Sequence, residues 1–266
     1  MKRFITLCAL SAALFVGCKD EKPKDDEPVN VTPAPATMNY TVVKAYPHET
    51  SSFTEGLFWH NNEMYESVGL NGTSFLLKSK LETGKPIKSI KLEDAYFGEG
   101  TALLNNRIYQ LTYQEHKVFV YDMNFKKTQE FEWPYEGWGM TTNGKQLIVN
   151  TGGSNLYFVN PETFKVERTL GVYNNRGYVD SINEMEYVNG YIYANRWLTN
   201  SIIKINPSTG QIEAIADLGD IFQRSNLVNP NKEGSCLNGI AYDSTKQSFY
   251  VTGKYWPNLF EVKFDR

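Results

Sequence analysis

The feature that most constrains this chain is a pattern that returns five times. A turn, in most copies bearing Asn or Gly, leads into an apolar and aromatic strand that closes on a polar or aromatic residue. The copies are NNEMYES at 61–67, NNRIYQLTY at 105–113, NGKQLIV at 143–149, NGYIYAN at 189–195 and QSFYVTG at 247–253. Their anchors Tyr65, Tyr109, Ile148, Tyr193 and Tyr250 step by 44, 39, 45 and 57 positions. A strand-built period of roughly 40–50 residues marks a β-propeller with about four strands per blade. The expected fold class is therefore all-β, a five-bladed β-propeller.

The rest of each unit agrees. Leu76-Leu77-Lys78-Ser79, Val118-Phe119-Val120-Tyr121-Asp122, Leu156-Tyr157-Phe158-Val159-Asn160 and Ile202-Ile203-Lys204-Ile205-Asn206 are strand runs, each followed by a turn. A fifth unit ends at Leu259-Phe260-Glu261-Val262, and residues 39–47 are placed to pair with it and close the ring, which removes exposed sheet edges. The long fourth step holds 220–233, the one stretch suited to a short helix, read as an insertion on one face. Tyr and Phe, 17 and 15 residues, favour strands and fit this reading.

The two ends differ in kind. Residues 1–18 read as an export signal, with Lys2 and Arg3 before an apolar run too short to span a bilayer. The run ends in Phe15-Val16-Gly17-Cys18, similar to a bacterial lipobox with Cys18 as the lipidated residue. Residues 19–38, charged and then Pro-rich, cannot bury enough apolar surface to fold and form a flexible tether. Residues 39–266 are the propeller. The expected location is exported and lipid-anchored to the cell envelope, meeting membrane only through the anchor. A net charge of -3 without a basic stripe argues against a nucleic-acid partner, and a monomer is expected. Cys236 alone remains in the mature domain, so no internal disulfide or paired-cysteine metal site is possible, and it reads as a small packed residue. His48, His60 and His116 lack ligand spacing for zinc; neither a cofactor nor a metal site is expected.

The chemistry starts at Phe97-Gly98-Glu99-Gly100. A glutamate between glycines, beside Phe97 and Tyr96, sits where the backbone can approach a ligand and a lowered dielectric raises a carboxyl pKa. Turns at equivalent places carry Glu55, Trp138, Asn183 and Asn238. Equivalent positions of successive blades point to one end of the central channel, so these five should converge.

The ordered segments FTEGL, YESVGLNGTS, FGEGTALLNNRIYQLTY, GWGM, NEMEYVNGYIYANRW, LNGIAYD and VTGKYWP resemble the plant- and bacterial-type glutaminyl cyclases, or glutamine cyclotransferases, over residues 40–264. The resemblance implies a five-bladed propeller that converts N-terminal glutamine of peptides or proteins to pyroglutamate with release of ammonia, without the zinc of the animal-type enzymes. It implies Glu99 as the catalytic residue, and Phe53, Phe97, Trp138, Asn183, Trp197 and Lys254 as substrate-binding. Glu55 stands where plant members carry Gln, and Tyr113 replaces a frequent Trp; both are placed in the binding site. Five-ring closure is helped mainly by orientation, and one carboxyl of raised pKa can relay the proton from the amine to the departing nitrogen. Two rivals remain at this level: a metal-dependent propeller hydrolase or lactonase using Glu55, Glu99, Asn183 and Asn238, and a propeller that binds peptides without catalysis.

Overall fold

The computed structural model describes residues 32–230 and 232–265. Within them the chain forms five antiparallel four-stranded sheets, spanning 54–91, 98–132, 140–171, 182–217 and 237–264, the last completed by Tyr40–Pro47. Four of the sheets are meanders of consecutive strands, the fifth takes its outer strand from Tyr40–Pro47, and the innermost strands of neighbouring sheets pack side by side into a closed ring. This is a five-bladed β-propeller. Tyr40–Pro47 pairs along Asn258–Phe264, so the chain's beginning and end close the ring together.

The repeated turns explain the repeated asparagines. Asn61 and Asn62, like Asn105 and Asn106, have φ between 50° and 62°, and Asn189 has φ 50°. Two-residue hairpins whose twist matches the strands need such left-handed backbone, which Asn and Gly tolerate best. Between turns, alternation divides each strand's side chains between two neighbours. In Arg107–Thr112, Ile108 packs towards the first blade and Tyr109 towards the third. Each of the five blade interfaces thus has its own apolar cluster. The outermost strands of the first three blades, such as Lys127–Glu132 (KTQEFE), are largely exposed, and their charges discourage edge pairing.

Three local features add detail to the sequence reading. The tether extends less far than its composition implies. Ala36–Thr37 adds a parallel strand to the outer edge of the fourth blade and Met38 is buried, because an open edge offers hydrogen-bond partners even to a polar segment. A small hairpin, Tyr173–Asn174 with Gly177–Tyr178, links the third and fourth blades. The insertion contains one helical turn, Ile221–Arg224, whose Ile221 and Phe222 cap the core between the fourth and fifth blades. The export signal, Cys18 and most of the tether lie outside the described residues; among the described residues no helix is long and apolar enough to cross a membrane.

Candidate active site

The innermost strands carry an irregularity at matching places. Register shifts fall between Thr54 and Gly56, Gly98 and Thr101, Ile182 and Met185, and Leu237 and Ile240. A bulge leaves a residue out of the ladder and re-aims its side chain. The residues so released include Glu55, Glu99, Asn183 and Asn238, while Trp138 precedes the shorter strand Met140–Thr142. Glycine follows four of the five, and packing demands it. A Cβ on Gly100 would lie 2.5 Å from the Met140 nitrogen, and one on Gly139 would lie 1.9 Å from the Asn183 carbonyl oxygen. The blades meet backbone to backbone here, and the intervening side chains turn into the channel mouth.

There they form one pocket of about 260 Å³. Phe53, Glu55, Phe97, Glu99, Tyr113, Trp138, Asn183, Trp197 and Lys254, singled out from sequence on separate blades, all line it. Asn238 lies beneath, donating to Glu55 Oε2 at 3.2 Å and to the Thr54 carbonyl at 2.8 Å. Tyr96 does not contribute. It packs edge-on against Phe119 in the core between the first two blades, and Tyr113 and Trp138 stand near Glu99 instead. Cys236, expected as a packed residue, is half-buried in the pocket wall, and burial pushes its thiol pKa up. Leu198 and Gly234 also line the wall and carried no sequence signal of the repeated kind.

The walls form an aromatic collar. Phe53, Phe97, Tyr113, Trp138 and Trp197 follow one another around the mouth, successive ring centroids 5.4 to 6.5 Å apart, and Tyr255 backs Phe53 at 5.2 Å. Their edge-on and tilted contacts hold one another in place. On the floor, Lys254 Nζ is 2.6 Å from Glu55 Oε1 and 4.2 Å from the Phe53 ring centre. Both Glu55 oxygens are thus engaged. Glu99 is 5% exposed, and its carboxyl makes no hydrogen bond to another described residue.

This difference sets the electrostatics. Burial raises the Glu55 pKa to about 7, opposed by the Lys254 charge. Burial also raises that of Glu99 well above the usual carboxylate range, and the neighbouring charge of Glu55 raises it further. Desolvation would lower the Lys254 pKa, but its interaction with Glu55 above all, and with Glu99 after it, outweighs this and raises it. The floor therefore holds the anchored Glu55–Lys254 pair beside a free buried acid, Glu99, whose titration is linked to it. Among the described residues, no three His, Cys, Asp or Glu side chains gather as a metal site. Lys254 supplies the positive charge that such a carboxylate pair would otherwise draw from a cation.

The glutamine cyclotransferase family model matches residues 9–264. A glutaminyl-peptide cyclotransferase of Arabidopsis thaliana is 38% identical over 226 residues, covering 84% of this chain and 70% of its own. The crystal structure of Myxococcus xanthus glutaminyl cyclase superposes with a TM-score of 0.80 at 32% identity, covering 87% of this chain and 98% of the other. With matches of this extent in both sequence and architecture, the chain belongs to the glutamine cyclotransferase family.

Proposed function

We propose that this protein is a glutaminyl-peptide cyclotransferase that closes an N-terminal glutamine to pyroglutamate by general acid–base catalysis at Glu99, without a metal. The observation that carries this is a buried carboxyl with no hydrogen-bond partner among the described residues, facing an aromatic pocket beside an anchored ion pair. The reaction needs three things: a folded-back glutamine, a proton moved between nitrogens, and a stabilised oxyanion.

The collar supplies the first. Aromatic walls around about 260 Å³ favour a compact, bent side chain and keep water away. The free α-amine attacks the γ-carbonyl carbon, and the carbonyl electrons move onto oxygen. Charge developing there lies within the field of the Lys254 ammonium and the Asn183 amide. Protonated Glu99 gives its proton to the γ-nitrogen, which leaves as ammonia when the tetrahedral intermediate collapses. The resulting carboxylate takes the proton that the attacking amine sheds, so Glu99 ends as it began. Glu55, with both oxygens held, orients the α-amine rather than exchanging protons.

The test is direct. The full chain, incubated with a Gln-initiated dipeptide amide, should release one ammonia per pyroglutamate formed, and should keep doing so after dialysis against a strong chelator. Absence of ammonia release would overturn the assignment, and loss of turnover restored by zinc would overturn the metal-free mechanism.

A further inference from the structure

The aromatic collar is incomplete. It runs without a break from Phe53 to Trp197, but between these two ends, where the fourth blade gives way to the fifth, the wall holds Leu198, Gly234 and Cys236. Gly234 has φ 79°, and a Cβ there would touch the rings of both Phe53 and Tyr255. This sector therefore presents no aromatic ring to the pocket.

Leu198 is the unusual residue in it. It is 70% exposed, lines the pocket, and holds a left-handed backbone with φ 57° although it is not glycine. Such a conformation is disfavoured in a bulky residue and persists only where its surroundings impose it. Here the flanking hydrogen bonds do so: Trp197 N donates to the Ser181 carbonyl at 2.7 Å, Thr199 N to the Arg196 carbonyl at 3.1 Å, and the Leu198 N–H faces the Cys236 sulfur. A strained, exposed leucine next to a 39% exposed tryptophan is an apolar surface held out into solvent at the pocket mouth.

Resting on the function proposed above, the chemistry says what meets this surface. In the cyclisation the α-amine and the γ-amide of residue one both react, so both lie inside. Only the residue-one carbonyl leads outward, and the second residue must cross the rim. The opposite wall is unsuited to an acidic side chain: Glu136 accepts from Trp138 Nε1 at 3.1 Å and Glu115 from the Phe97 N–H at 3.3 Å.

We infer that the gap at Leu198, Gly234 and Cys236 is the subsite for the second residue of the substrate, and that Leu198 selects an apolar side chain there and disfavours an acidic one.

Three peptides, Gln-Leu, Gln-Gly and Gln-Asp, each amidated, test this by kcat/KM. The wild-type chain should favour Gln-Leu over Gln-Gly by about tenfold, the discrimination a small apolar pocket supplies, with Gln-Asp poorest. In Leu198→Gly the Gln-Leu to Gln-Gly ratio should fall towards one; glycine accepts the same left-handed backbone, so the turn is kept. Leu198→Met, which restores an apolar side chain, should retain the preference. Equal wild-type rates on all three peptides, or a ratio that survives in Leu198→Gly, would overturn the subsite. Failure to cyclise any of the peptides is a different result and would overturn the proposed function instead.

Discussion

Two places on the central channel hold buried glutamates, and they do opposite things with them. At the mouth, Glu99 faces the pocket without a hydrogen bond to another described residue. One position deeper, the fourth blade has Glu184 where four blades have glycine, and its oxygens accept from Leu57 N at 3.2 Å and Ile240 N at 2.6 Å. That carboxyl stitches the fourth blade to the first and fifth. Burial raises the pKa of both groups well above the carboxylate range. A shifted pKa therefore does not distinguish a reacting group from a strut; unused hydrogen-bonding capacity beside open volume does.

The comparison breaks most sharply at Glu99. Glu99→Gln preserves shape and removes the exchangeable proton, so kcat should fall by about 10²–10⁴-fold, the usual worth of acid–base catalysis. Its urea midpoint should stay close to wild type. Normal turnover in this variant would move the reacting group elsewhere.

Lys254 tests the anchored pair. Lys254→Met leaves Glu55 buried without its counter-charge and should cost about 3–5 kcal/mol in urea unfolding. Adding Glu55→Gln should recover much of that loss, because the orphaned charge is then gone. Additive losses in the double variant would contradict the pairing.

The strut should answer in stability alone. Glu184→Gln presents an N–H group where a backbone N–H needs an acceptor, costing about 1–3 kcal/mol. The kcat of the protein that remains folded should be that of wild type. A kcat loss matching that of Glu99→Gln would erase the distinction between mouth and channel.

Glu55→Gln sharpens the mouth itself. The amide still accepts from Lys254, so the effect on kcat should stay within about tenfold, with KM changing more. A dead Glu55→Gln beside an active Glu99→Gln would invert the two roles.

The smallest effect concerns pH. Burial pushes Glu186, whose Oε2 accepts from Thr141 Oγ1 at 3.2 Å, up to about 8. The native state holds this proton more tightly than the unfolded chain. Its contribution is therefore complete below the ordinary carboxylate range and is lost as pH rises through about 8. Melting temperature should decline over that window in wild type, and less steeply in Glu186→Gln. An identical decline in the variant would assign the pH dependence to other groups.

Much of this site was legible because a propeller converts sequence period into spatial coincidence. Glu55, Glu99, Trp138 and Asn183 stand at matching points of the repeat, and so they meet. Tyr96 misled because adjacency in sequence says nothing about face: alternation sends Phe97 to the pocket and Tyr96 to the core. Leu198, Gly234 and Cys236 were silent because they lie in a turn and in the connection that follows the insertion, outside the periodic positions. The strand Ala36–Thr37 was hidden by a composition that reads as solvated, since edge pairing rewards backbone rather than side chains.

The sequence by itself determined the period, the turn chemistry and the apolar alternation, and with them a closed ring of five sheets. Those are local properties, carried by Asn and Gly turns and by residues two apart. Only the tertiary structure decided which carboxyl is free. Glu55 is tied by Lys254 and Asn238, 199 and 183 residues away, and Glu184 by blades that follow and precede it. Hydrogen-bond capacity is used up by neighbours in space, and that accounting exists only once the ring has closed.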